Sequence, residues 1–234
     1  MQGKLYLIPI TLGDSSIELV IPAEVRTETL KIRHFTVENI RTARRYLRKL
    51  DPAFPIDETQ FFELNKHTSP EEISSYLKPV HQGFAMGVIS EAGVPGVADP
   101  GADVVALAHS QNIPVVPFVG PSSILMVVMA AGLNGQNFAF NGYLPIKPNE
   151  RASAIKHLEK RSQTEKQSQV FIETPYRNAH LLNDLMQHCL PSTRLCIAVD
   201  LTLPTEFIKT DTITNWKKHL PDINKRPGIF MIQG

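Results

Sequence analysis

Phe84-Ala-Met-Gly-Val-Ile-Ser-Glu-Ala-Gly-Val-Pro-Gly-Val-Ala-Asp-Pro-Gly101 is the stretch on which the reading of this chain turns. An apolar run with strand character, 85–89, gives way at once to a segment too rich in glycine and proline to be a strand or helix interior. Gly93, Gly96 and Gly101 let a backbone come close to a ligand. Pro95 and Pro100 fix the chain, so that ordering it on binding costs less entropy. These features suit a preformed cradle for a small molecule, and a pair of tight glycine-rich turns accounts for the spacing equally well.

Outward from this loop, apolar β-rich runs alternate with helical patterns. Strands are expected at 5–8, 32–37, 61–64, 85–89 and 115–118, and helices at 38–50, 70–77 and 102–109. Strict alternation predicts an α/β domain, a mostly parallel sheet with helices on both faces. Ser69-Pro70-Glu71-Glu72 is a helix start by capping, proline position and dipole. A helix at 122–131 follows, then strands at 138–141, 170–173, 195–200 and 229–232, with helices at 150–160, 178–188 and 214–220. The Gly120-Pro121 junction separates an N-terminal domain, 1–119, from a C-terminal α/β domain with a mixed sheet, 120–234.

The position of the loop narrows the ligand. A dinucleotide-binding unit carries its glycines directly after the first strand, but the turn Pro9-Ile-Thr-Leu-Gly-Asp14 has one. No Gly-Lys-Ser/Thr triplet opens a helix. The glycines follow the fourth strand instead, where carboxyl ends of parallel strands form a ligand crevice.

The 234 residues carry a net charge of +1, distributed unevenly. Residues 26–49 hold 8 Lys/Arg against 2 acids, and the rest is net acidic, so one surface is built for an anionic partner. The helix after the second strand places Arg41, Arg44, Arg45, Arg48 and Lys49 opposite Ile40, Ala43, Leu47 and Leu50. A solvated helix face is the plain reading of such a run; RNA phosphates are its natural counterpart. Cys189 and Cys196 lack metal or disulfide-framework spacing and read as buried apolar residues, and the 8 histidines form no metal motif, so no metal is expected. With neither a signal peptide nor a run of roughly 20 apolar residues, the expected location is the cytoplasm, away from membranes.

Four segments carry a resemblance: Val37-Glu-Asn-Ile-Arg-Thr42, the glycine-rich loop, Val119-Gly-Pro-Ser-Ser123 and Phe171-Ile-Glu-Thr-Pro-Tyr-Arg177. Together they resemble the signature segments of the tetrapyrrole methylase family, most closely its branch that methylates a ribose 2′-hydroxyl of small-subunit ribosomal RNA. The resemblance implies two α/β domains with the ligand cleft between them, a homodimer, and S-adenosylmethionine as cofactor. It points to Pro9, Gly93, Pro95, Gly96, Asp99, Pro100, Ser122 and Ser123 as cofactor-binding. It points to Glu38 and Arg41 as catalytic, with His67 reaching toward the acceptor, and leaves Glu173 and Arg177 either functional or an internal salt bridge or helix cap. Asp99 before Pro100 also reads as a turn initiator. The chain departs from the branch at Asn39-Ile40, where Asp-Thr is usual, in the first loop, which lacks Gly-Asn-Leu, and at Glu91-Ala-Gly-Val-Pro-Gly96. Three functions follow: methylation of ribosomal RNA, at a cytidine ribose in the branch; methylation of a tetrapyrrole or other small molecule; or RNA binding by a fold that has lost the chemistry.

Overall fold

A computed structural model describes residues 3–64 and 68–234. The chain divides into two compact units, Met1–Ser122 and Ser123–Gly234.

The first unit is built from β1 (Leu5–Ile8), α1 (Ile17–Val20), α2 (Ala23–Thr29), β2 (His34–Val37), α3 (Ile40–Leu50), β3 (Gln60–Glu63), α4 (Pro70–Tyr76), α5 (Lys78–His81), β4 (Met86–Ile89), α6 (Gly101–Ser110) and β5 (Val115–Pro117). Its five strands run parallel in the order β3-β2-β4-β1-β5. Side chains alternate between two cores, as strand geometry requires. Ile8, Phe35, Val37 and Ile89 meet Ile17, Val25, Ala43, Tyr46 and Leu47 from α1–α3 on one face. Leu5, Met86 and Val88 meet Ile73, Leu77, Val80, Val104 and Ala108 from α4–α6 on the other. Phe35, Leu47, Leu77 and Met86 are wholly buried, and such side chains each contribute roughly 1.5–3 kcal/mol.

This arrangement fixes where a ligand can sit. β1 and β4 are neighbours, yet the chain leaves β1 for the face of α1–α3 and leaves β4 for the face of α4–α6. In open parallel sheets this divergence of connections at the carboxyl edge is where a ligand is expected to bind. The short helices α1 and α2 lie outside the expected elements. Their Ile-Glu-Leu-Val and Ala-Glu-Val-Arg-Thr-Glu-Thr sequences are too brief for helical periodicity to show. Ser69 and Glu72 cap α4 reciprocally, as their spacing predicts.

The second unit contains α7 (Ser123–Ala130), β6 (Phe138–Tyr143), α8 (Pro148–Glu165), β7 (Ser168–Glu173), α9 (Asn178–His188), β8 (Arg194–Val199), β9 (Phe207–Thr212), α10 (Ile213–Trp216) and β10 (Gly228–Gln233). Its sheet has the order β6-β7-β10-β8-β9, with β6 and β7 parallel and the remaining pairs antiparallel. Ile155, Leu158, Leu181, Leu185 and Trp216 pack on Phe171, Leu195, Ile197, Phe230 and Ile232. Strand β9, Phe-Ile-Lys-Thr-Asp-Thr, is an edge strand whose polar sequence conceals its strand character. Helix α8 runs longer than the expected 150–160, and α10 ends earlier than the expected 214–220. Both cysteines are free and buried; burial pushes their thiols up, that of Cys189 to about 12 with the Glu159 carboxylate adding to the effect.

Candidate functional site

Three segments converge at the crevice of the first unit. The Ile10 amide donates to the Gly93 carbonyl at 2.9 Å, tying the loop after β1 to the loop after β4. A Cβ on Gly120 would lie 2.3 Å from Pro9, so only glycine allows the segment before Ser122 to pass against that loop. Within the glycine-rich loop, Gly93, Gly96 and Ala98 all adopt positive φ, at 69°, 83° and 61°. Gly93 and Pro95 are buried while Val97 and Ala98 are exposed, so the loop is anchored at its root and open at its tip. A Cβ on Gly96 would meet nothing within 4 Å, which leaves bare backbone facing open space.

Asp99 organises this loop from inside. Its carboxylate accepts from the Gly96 amide at 2.9 Å through both oxygens and from the Gly101 amide at 2.7 Å, the latter at the start of α6. The turn reading of Asp99-Pro100 therefore describes its contacts: the side chain shapes the cradle with its own backbone. The open glycine backbone, the buried Pro95 and the convergence of three loops fit a cofactor held largely by main-chain groups, as the family resemblance implies for Pro9, Gly93, Pro95, Gly96, Pro100 and Ser122. Ser123 stands at the start of α7 in the second unit.

Glu38 follows β2 at the same edge. Its Oε1 accepts from the Glu91 amide at 3.2 Å, across the β2–β4 pair. Burial raises its carboxyl above the ordinary glutamate value; the Glu91 amide opposes this, and the Asp99 and Glu91 carboxylates reinforce it. Next to it begins α3. Asn39, where the related branch carries aspartate, is the N-cap, its side chain accepting from the Thr42 amide at 3.1 Å. Asn and Asp serve equally there, so the departure keeps the helix start. The Thr42 hydroxyl donates to Glu91 Oε2 at 3.4 Å.

Along α3 the five cations lie on the outward side while Ala43, Tyr46, Leu47 and Leu50 are buried. They are not equivalent. Lys49 Nζ is engaged by Asp14 Oδ1 and the Ser15 carbonyl, both at 2.8 Å, and so ties α3 to the loop after β1. Arg44 lies over the Phe61 ring at 5.3 Å. Arg41, Arg45 and Arg48 have no ion-pair or hydrogen-bond partner among the described residues. Tyr46, which no sequence motif singles out, donates its buried hydroxyl to the Pro9 carbonyl at 2.9 Å. Its only trace in the sequence is a phenol at an apolar-face position.

His67 lies outside the described residues. Glu173 and Arg177 form an internal ion pair: Glu173 Oε1 accepts from Arg177 Nε at 2.8 Å and from the Thr174 amide at 2.7 Å, with the Glu173 side chain fully buried. Among the described residues no cluster of three or more His, Cys, Asp or Glu could hold a metal ion, and no helix is long and apolar enough to cross a membrane.

The solved structure of the methyltransferase CobJ superposes with a TM-score of 0.65 at 16% identity, over 99% of this chain and 94% of that one. Diphthine synthase superposes with a TM-score of 0.66 at 14% identity, over 99% and 90%. The fold is thus of the tetrapyrrole methylase class. No protein-family model matches the chain. Three curated relatives called ribosomal RNA small subunit methyltransferase I align along its length. That of Xylella fastidiosa is 30% identical over 190 residues, covering 80% of this chain and 67% of the relative. Those of Haemophilus influenzae and Escherichia coli O157:H7 are 29% and 25% identical over 250 residues each, covering all of this chain and 80% and 78% of the relatives. The chain belongs to this family, a branch of the tetrapyrrole methylases, and is an S-adenosylmethionine-dependent methyltransferase.

Proposed function

We propose that the chain methylates a ribose 2′-hydroxyl of small-subunit ribosomal RNA, at a cytidine. The observation that carries this reading is the placement of Glu38. A carboxyl group of raised proton affinity stands at the crevice edge beside the glycine cradle, next to the first turn of a helix that carries four arginines on its outward side.

The cofactor supplies an already electrophilic methyl group, so the protein's task is to align the hydroxyl and remove its proton. Main-chain groups of Pro9, Gly93, Pro95, Gly96, Pro100, Ser122 and Ser123 hold the cofactor in this reading, and Asp99 keeps the loop in shape for it. Glu38 accepts the hydroxyl proton at its carboxylate. Its raised proton affinity makes it a stronger base than an ordinary surface glutamate. Arg41, unpartnered in the first turn of α3, holds the phosphate beside the reacting ribose, while Arg44, Arg45 and Arg48 extend the anionic contact along the helix. His67 is assigned the acceptor side from sequence alone.

We also assign the protein to the cytoplasm, where this substrate is, and to a homodimer. Between Asp103 and Lys147 the chain has no Asp, Glu, Lys or Arg. Leu125, Met129, Tyr143 and Ile146 in that stretch, all in the second unit, are 54–83% exposed. A charge-free apolar surface suits a second copy of the same chain better than RNA; sedimentation equilibrium tests it.

The deciding experiment is methyl transfer from labelled S-adenosylmethionine to small ribosomal subunits, followed by mapping of alkali-resistant linkages. Label at a single ribose, lost in Glu38→Gln, supports the reading. Label on a base, or none on RNA, overturns it.

A further inference from the structure

The second unit carries a cationic surface that no part of the site above uses. Helix α8 has three acidic residues, and each is occupied. Glu150 pairs with Lys147 at 3.0 Å and Glu165 with Arg161 at 3.1 Å. Glu159 is turned inward, accepting from the Leu190 amide at 2.7 Å and the Thr193 hydroxyl at 2.5 Å. The inward cation Arg151 is likewise taken, by Asp184 at 2.6 Å. Lys156 and Lys160, one turn apart on the exposed side, have no partner among the described residues, and neither has the exposed side chain of Lys166 just past the helix end.

His157, Lys160, Arg161, Thr164 and Glu165 line a shallow groove of about 350 Å³ on this face. Its one carboxylate is the one already paired with Arg161. Helix α9, packed beside α8, exposes His180, Asn183 and Gln187, and its one carboxylate, Asp184, is the one already paired with Arg151. The helix dipole favours cations in the last turn, but the last turn of α8 holds none, so it accounts for neither Lys156 nor Lys160. A row of unpaired ammonium groups with hydroxyl, imidazole and amide groups beside it is the chemistry that recognises a phosphate backbone without reading bases.

We infer that the outward face of α8, centred on Lys156 and Lys160, is a second phosphate-contacting surface for the RNA substrate. The inference rests on the reading of RNA as substrate. It gives the protein a sequence-independent grip on the RNA from its second unit, separate from the residues that hold the reacting ribose.

The test measures binding of the full chain to naked small-subunit ribosomal RNA as a function of salt, for the wild type, Lys156→Glu/Lys160→Glu and Arg44→Glu/Arg45→Glu. Each single-strand phosphate that the protein ceases to neutralise removes roughly 0.7 from the slope of log affinity against log salt, so the α8 variant is expected to flatten the slope by about 1.4. Methyl transfer at saturating RNA stays at the wild-type rate. Should charge reversal disturb folding, as read by circular dichroism, Lys156→Gln/Lys160→Gln gives the same comparison with a smaller change. A wild-type slope in the α8 variant, alongside a flattened slope in the α3 variant, overturns the inference and leaves the substrate reading intact. A wild type whose RNA binding ignores salt overturns the substrate reading itself. Loss of binding to assembled subunits with no change on naked RNA assigns the face to a ribosomal protein and also overturns the inference.

Discussion

Tyr46 reaches from the buried side of the arginine-bearing helix α3 to the carbonyl of Pro9, 2.9 Å away in the loop after β1. With Lys49 held by Asp14 and Ser15, and Thr42 by Glu91, the helix is fastened to the loops after both β1 and β4. Three of its side chains therefore set the spacing between the arginine-bearing face of α3 and the loops after β1 and β4.

Replacing Tyr46 by Phe removes one hydroxyl and leaves the Pro9 carbonyl buried without its donor. An unsatisfied buried acceptor costs about 1–3 kcal/mol. Urea denaturation is expected to report a loss in that range, and calorimetric titration a weaker affinity for S-adenosylhomocysteine. A stable variant with unchanged affinity would show that this hydrogen bond does not govern the cradle.

The glycine-rich loop makes two separable predictions. Asp99→Ala strips acceptors from the Gly96 and Gly101 amides and is expected to cost about 1–2 kcal/mol, as loss of a helix cap does, with cofactor affinity falling alongside; Asp99→Asn, which keeps an acceptor, recovers part of both. Gly96→Ala places a methyl at a φ of 83°, where a non-glycine residue pays about 1–2 kcal/mol, and projects it into the space assigned to the cofactor. Its affinity loss should exceed its stability loss. Equal losses would show that the space over Gly96 is not used.

What the sequence discloses follows from the range over which each signal acts. The strands of the first sheet and helix α3 announce themselves through local periodicity, and the glycines of residues 93–101 through density, so the parallel sheet and the cradle are legible. Helices α1 and α2 are too short to display a period, and β9 is polar because it lies at an edge. Contacts between distant segments leave no local trace: that Lys49 serves Asp14 rather than standing free, and that Tyr46 reaches the Pro9 carbonyl, emerge only once α3 is packed beside the loop after β1. Glu91 stands out in the sequence as a departure from a motif; its amide contact with Glu38 depends on strand pairing, which residue spacing does not encode.

Glu38 links the site to pH. Its folded-state carboxyl binds a proton more tightly than the unfolded one, chiefly because it is buried. From about the ordinary value of 4.5 up to the raised folded value, the native state holds the extra proton, so stability falls as pH rises through that window and then levels off. Glu38→Gln removes this dependence. Its denaturation midpoint should gain on the wild type as pH increases and match it most closely at acid pH. Methyl transfer in the same variant should fall by about 10²–10⁴, the usual contribution of a general base, with affinity for S-adenosylhomocysteine retained. A variant that methylates at the wild-type rate would exclude Glu38 as the base.

The exposed face of α3 supplies the remaining test. Arg45 is unpartnered among the described residues, and Arg44 lies over Phe61, a contact worth about 0.5–1 kcal/mol at an exposed site, so reversing both charges should cost little stability. Their effect on RNA should be large by comparison. With two fewer phosphates neutralised, the salt dependence of binding flattens by about 1.4 for a single strand and by up to about 1.8 if the bound RNA behaves as a duplex. The Michaelis constant for RNA should rise most at low ionic strength, where phosphate contacts are strongest, and converge on the wild-type value as salt is added. Lys49→Gln should behave differently: its ammonium group is already held by the Asp14 carboxylate and the Ser15 carbonyl, so its replacement should loosen the loop after β1 and weaken cofactor binding while leaving the salt slope nearly unchanged. Equal slopes for the wild type and the Arg44/Arg45 variant would mean that these two arginines form a solvated helix face and that the RNA is held elsewhere.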